Sequence, residues 1–130
     1  MKSHLAQSAA AVVILVRHAD RASDAADSPL SSDGVRRARD LTQSLANVKL
    51  SAIITTQFIR SSDTGQPIAD AQGIRPDVVA LNGSDPASVT AHVNDLVTKV
   101  RGHPAGAVLV VGLQHGAETD RGARRARWVA

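Results

Sequence analysis

The chain predicts an α/β fold, three αβα layers around a mainly parallel sheet, and three observations carry that prediction. Four short apolar runs rich in β-branched residues recur at intervals of about 25 to 40 residues, the spacing of strands in βαβ units. Amphipathic helical patterns fill the gaps between them. At 130 residues, with 2% aromatics, the chain has room for one core built from Val, Ile, Leu and Ala.

The first run is residues 12–16, Val-Val-Ile-Leu-Val. Apolar at every position, it reads as a strand buried on both faces. Ser31, Ser32 or Asp33 can cap a following helix, whose apolar positions Val35, Ala38, Leu41 and Leu45 share one side. Arg36, Arg37, Arg39 and Asp40 fall on its solvated faces. Residues 51–55 form the second strand. A helix over residues 58–71 comes next, bent by Pro67 and stopped before Gly73.

Residues 77–81 make a third, short strand. Asp85 then serves as N-cap and Pro86 as the first residue of a helix striped by Val89, Val93, Leu96, Val97 and Val100. His92 beside that stripe and His103 after it read as surface histidines. Residues 107–111, Ala-Val-Leu-Val-Val, are the fourth strand, ended by Gly112.

Charge narrows the function classes. The net charge of +3 comes mostly from the C-terminus: Arg121, Arg124, Arg125 and Arg127 lie in the last ten positions, and residues 1–116 carry 11 basic and 10 acidic groups. A nucleic-acid partner is therefore not expected. No apolar run is long enough to span a membrane, so no membrane partner is expected either. Without a hydrophobic segment ahead of the first strand to act as a leader, the expected location is cytoplasmic, or secreted or periplasmic if the true start lies upstream. The absence of Cys leaves the redox compartment open.

The chemistry gathers where the first strand ends, at Arg17, His18 and Asp20. Ligands of open α/β sheets bind at the carboxyl ends of strands. A guanidinium offers phosphate a planar fork of donors. An imidazole near neutral pH is an unprotonated nucleophile. Arg60, after the second strand and in the first turn of a helix, adds a second guanidinium and the positive end of a helix dipole.

Three segments in order, Arg17-His18-Ala19-Asp20, Pro29-Leu30-Ser31-Ser32-Asp33-Gly34, and the Thr56-to-Thr64 stretch containing Arg60, resemble the histidine phosphatase superfamily. The similarity runs from about Val12 to Gly112. It implies a phosphoglycerate mutase-like fold and hydrolysis of phosphomonoesters, or of phosphohistidine, through a phosphohistidine intermediate on His18. It also implies phosphate binding by Arg17 and Arg60, and no cofactor or metal. Thr64 takes a packing or capping role, and Asp20 stands where the family often has Glu, as a group that can orient Arg17 or another pocket residue. The implied substrate is a phosphorylated small molecule or a phosphoprotein. No Glu occurs before Glu118, so the family's usual carboxylic acid is missing. That leaves an Asp from the loop after the second strand, or substrates with good leaving groups.

The resemblance stops at Gly112. The family places a second catalytic His next, commonly as His-Ser-Asn-Thr-Val-Pro, whereas this chain continues Leu113-Gln114-His115-Gly116-Ala117. His115 falls two residues late, a displacement of about 6 Å along a strand. Deleting two nucleotides from a coding sequence for the family motif yields Leu-Gln-His-Gly-Ala, residue for residue. The expectation is therefore a histidine phosphatase-like domain over 1–112, truncated at its C-terminus so that one face of the fourth strand is left uncovered, and an atypical basic tail over 113–130 created by a frame shift. Its alternatives are a genuine divergent C-terminus and, for the whole chain, a catalytically impaired or inactive phosphate-binding member of the same fold.

Overall fold

The computed structural model describes residues 12–25, 27–103 and 105–112. Four strands, β1 (Val12–Arg17), β2 (Leu50–Thr55), β3 (Asp77–Val78) and β4 (Ala107–Gly112), form one sheet in the order β1-β4-β2-β3, all parallel. Helices α1 (Ser32–Ser44), α2 (Ile59–Gln72) and α3 (Pro86–Arg101) supply the crossovers.

Strand alternation divides the core into two layers. Val16, Ile53, Leu109 and Val111 meet Leu41, Leu45, Ile68 and Ala69 from α1 and α2. Ala52, Ile54, Val108 and Val110 face the other way, towards Leu96 and Val100 of α3. A register shift between Leu50 and Ala52 lets Leu50 join the first layer with Ile53.

The predicted caps form. Ser31 accepts from the Gly34 amide at 2.9 Å, Asp85 accepts from Ser88, and Gly73 closes α2 at φ 67°. Pro67 lies within α2, and Arg36, Arg37 and Arg39 lie exposed on α1.

Three expectations need correction. β1 is not buried on both faces: it is an edge strand paired only with β4 among the described residues, and Val12, Val13 and Leu15 are exposed. The fourth strand, expected to lose cover through truncation, instead sits between β1 and β2 and is buried along residues 107–111. Strand order is set by tertiary pairing, which an apolar run cannot encode.

The α3 stripe is only partly covered, with Val93 and Val97 exposed. Together with Val13, Leu15, Leu96 and Val110 they line an apolar groove of about 340 Å³. His92 is the third correction. It is buried, and its Nδ1 lies 3.0 Å from the Ala80 carbonyl, tying α3 to the extended segment after β3. No described helix is long and apolar enough to cross a membrane.

Candidate active site

The β1–β4 pairing places Arg17 opposite Gly112, and the His18 amide donates to the Gly112 carbonyl at 3.0 Å. The chain then leaves the sheet at its carboxyl edge and forms a loop held at several points. The Asp20 carbonyl accepts from the Ser31 amide at 2.8 Å and from the Ser31 hydroxyl at 3.2 Å. Gly34 in α1 packs so closely that a Cβ there would lie 2.2 Å from that same carbonyl oxygen. Only glycine permits the approach. Farther along, Arg21 bridges to Leu30, and buried Ser28 accepts from the Ser23 amide while donating to the Pro29 carbonyl.

His18 is buried. Its Nδ1 lies 2.8 Å from the Ala19 carbonyl oxygen. A carbonyl can only accept, so Nδ1 carries the hydrogen and Nε2 keeps its lone pair. Burial pushes the imidazole pKa below its ordinary value. The Ala19 bond opposes that shift, and the positive fields of Arg60, Arg17 and Arg21 add to it. The neutral ring is thus favoured near pH 7.

Arg17, His18 and Asp20 line one cavity of about 360 Å³, together with Arg21, Ser23 and Asp24. Arg60 approaches from α2, buried, with its guanidinium carbon 4.5 Å from the Phe58 ring centroid. Burial lowers its pKa, Arg21 adds to the effect and Asp27 opposes it.

Thr64 does more than pack. Its hydroxyl accepts from the Ala19 amide at 2.9 Å and donates to the Arg60 carbonyl at 2.7 Å. One buried oxygen therefore ties the backbone beside His18 to the turn that carries Arg60. Ser61 makes a second tie, accepting from the Thr56 amide and donating to the Val111 carbonyl. Asp20 sits at the mouth of the cavity, with its carboxylate 3.5 Å from Arg37 of α1.

The helix end differs from expectation. The Ile59 amide at the start of α2 donates to the Asp27 carboxylate at 2.8 Å, and the Ser61 and Ser62 amides both reach the Phe58 carbonyl. A protein carboxylate thus already holds part of the anion-binding end. The segment between β2 and α2, Thr56-Gln57-Phe58, contains no carboxylate, so no Asp from that loop can serve as general acid. Gln57 instead clamps the backbone of Leu81 through both amide atoms. Among the described residues no group of His, Cys, Asp and Glu could hold a metal ion.

The sequence assigns no individual role to Arg21 or Asp27. Both lie in the loop of residues 21–28, where no periodicity marks a position, and only the fold of the loop brings them to the site. Leu113, His115 and the rest of the expected basic tail lie outside the described residues.

The sequence profile of the histidine phosphatase superfamily (branch 1) matches residues 13–81, more than half of the chain. The chain belongs to that superfamily. No curated protein sequence matches it significantly. Among solved structures, a protein assigned as the phosphohistidine phosphatase SixA of Nakamurella multipartitia is 28% identical with a TM-score of 0.59, the match covering 83% of this chain and 62% of that one. The superfamily member therefore spans somewhat under two thirds of that relative's length. The Agrobacterium tumefaciens protein assigned as SixA is 20% identical, with TM-score 0.57 and coverages of 85% and 75%. A mycobacterial glucosyl-3-phosphoglycerate phosphatase shares the fold at 14% identity and TM-score 0.64, over 88% of this chain and 80% of that one.

Proposed function

We propose that this superfamily member is a phosphatase in which His18 takes the phosphoryl group of a phosphomonoester or phosphohistidine. The observation that carries the reading is the His18 Nδ1 bond to the Ala19 carbonyl, which presents Nε2 as the free lone pair in a cavity flanked by guanidinium groups. Nε2 forms a bond to phosphorus as the bond to the leaving group breaks, and the leaving group takes a proton from solvent. Arg17 and Arg60 offset charge on the equatorial oxygens. Water then attacks phosphorus, releasing inorganic phosphate and neutral His18.

With no Glu among the described residues and no Asp in the loop after β2, leaving groups that depart without strong acid assistance are favoured. Phosphohistidine, whose leaving nitrogen is readily protonated by water, fits that limit. A phosphorylated small molecule with an acidic alcohol or phenol fits it too. No cofactor enters the scheme.

A specific observation favours a second reading for the chain as written. Leu113 occupies the position where the family has its second catalytic His, and a protein lacking that group would bind phosphate with little turnover. Incubation with phosphoramidate, followed by intact-mass measurement after rapid quenching, tests the first reading. A phosphoryl-sized mass gain that disappears in His18→Ala supports it. Phosphate protection against thermal unfolding without any mass gain supports the second. Neither effect would overturn both.

A further inference from the structure

We propose that Arg21 binds a second anionic group of the substrate, beside the phosphoryl group, and so selects substrates carrying an extra negative charge at that point. The inference rests on the phosphatase reading for its first anion. Its own warrant is the placement of Arg21.

Three features support it. The Arg21 backbone is fixed by its bridge to Leu30 and by the Ala22 amide bond to the Pro29 carbonyl at 2.8 Å, so the side chain starts from a defined point. The residue lines the same cavity as Arg17 and His18, three positions beyond His18 along the loop. Its guanidinium meets the carboxylate of Asp24 at 3.4 Å, in a pair whose acid is fully exposed. An exposed pair within one loop is weak and readily exchanged.

In the proposed mechanism Arg17 and Arg60 bind the transferred phosphoryl group. A third guanidinium in that cavity is surplus to three equatorial oxygens, yet suited to a carboxylate or phosphate elsewhere on the substrate. Asp24 then acts as an internal stand-in for that anion, released when substrate arrives. The second charge can come from a small phosphorylated acid or from an acidic side chain neighbouring a phosphoresidue.

Binding and turnover of para-carboxyphenyl phosphate and its uncharged methyl ester test the proposal, with the matching phosphonates as non-hydrolysed ligands in calorimetry. Arg21→Gln should weaken the carboxylated ligand about tenfold and leave the ester within about twofold, the size of one lost charge-assisted contact. Asp24→Asn should do the reverse, tightening the carboxylated ligand, an effect no merely structural role would produce. Equal losses on both ligands, or none on either, would overturn the proposal. Phosphonate binding that is unchanged in His18→Ala, Arg17→Gln and Arg60→Gln would instead remove the phosphatase reading beneath it. A pair of phosphohistidine peptides, with Glu or Gln beside the phosphoresidue, separates the sources. Arg21-dependent preference for the Glu peptide indicates a protein substrate, and its absence, with the aryl preference intact, a small acid.

Discussion

The two faces of the sheet are unequal. On one, α1 and α2 cover Val16, Ile53, Leu109 and Val111 with Leu41, Leu45 and Ile68, and almost nothing in that layer reaches solvent. On the other, α3 covers β2 and β4 but leaves Val13 and Leu15 of β1 exposed above the apolar groove. Arg60 and Thr64 ride on the well-packed face, and the loop carrying His18 is fastened to α1 through Ser31 and Gly34. The site therefore draws its rigidity from one layer, and damage on the two faces should have different consequences.

The largest expected contrast is in the core. Ile53→Ala removes a fully buried side chain and should cost about 3 to 4 kcal/mol in denaturant unfolding. The exposed Val97, replaced by Ser, should change stability by no more than about 0.5 kcal/mol. Equal costs would erase the distinction between the faces.

A smaller effect is expected at Gly34. The Cβ of Gly34→Ala would press on the Asp20 carbonyl, costing about 1 to 3 kcal/mol and shifting the loop that carries His18. Phosphate affinity should fall together with melting temperature. A stable variant with unchanged phosphate affinity would show that the loop does not depend on α1.

Thr64→Val keeps the shape but leaves the Ala19 amide without its acceptor. About 1 to 2 kcal/mol of stability should be lost, with phosphate binding weakened beyond what Val97→Ser produces. Binding equal to that of the parent would show that the tie between His18 and Arg60 is dispensable.

The smallest expected signal is in pH. Burial holds the His18 pKa below its ordinary value of 6.5, so on acidification the unfolded chain takes up this proton first. The contribution of neutral His18 to stability is therefore complete above about pH 6.5 and is lost as pH falls through the lower folded value. An NMR titration should place the imidazole midpoint below that of a free histidine, and bound phosphate should raise it. A midpoint above the ordinary value would contradict the burial of the ring.

Much of the fold was legible because its signals are local. Ser31, Gly73 and the Asp85-Pro86 pair announce helix ends by their own backbone chemistry, and the apolar run over residues 107–111 needs nothing beyond its length to read as a strand. His18, Arg17 and Arg60 were legible through their order along the chain and their family resemblance. What stayed hidden depends on pairings across the fold. The edge position of β1 follows from where β4 inserts, and the burial of His92 follows from a carbonyl twelve residues away. Arg21 and Asp27 belong to a loop whose sequence carries no period to read.

The Asp27 contact has a consequence for opening motions. A carboxylate from the loop holds the first amide of α2, so the loop cannot lift away without breaking that bond. Segments coupled in this way open as one cooperative unit. Hydrogen exchange at Ile59 should therefore keep pace with exchange at Ala22, whose amide bonds Pro29 within the same loop, although the two lie on separate elements. A ligand that steadies the loop would slow both together, making the start of a helix a reporter for events at the cavity mouth.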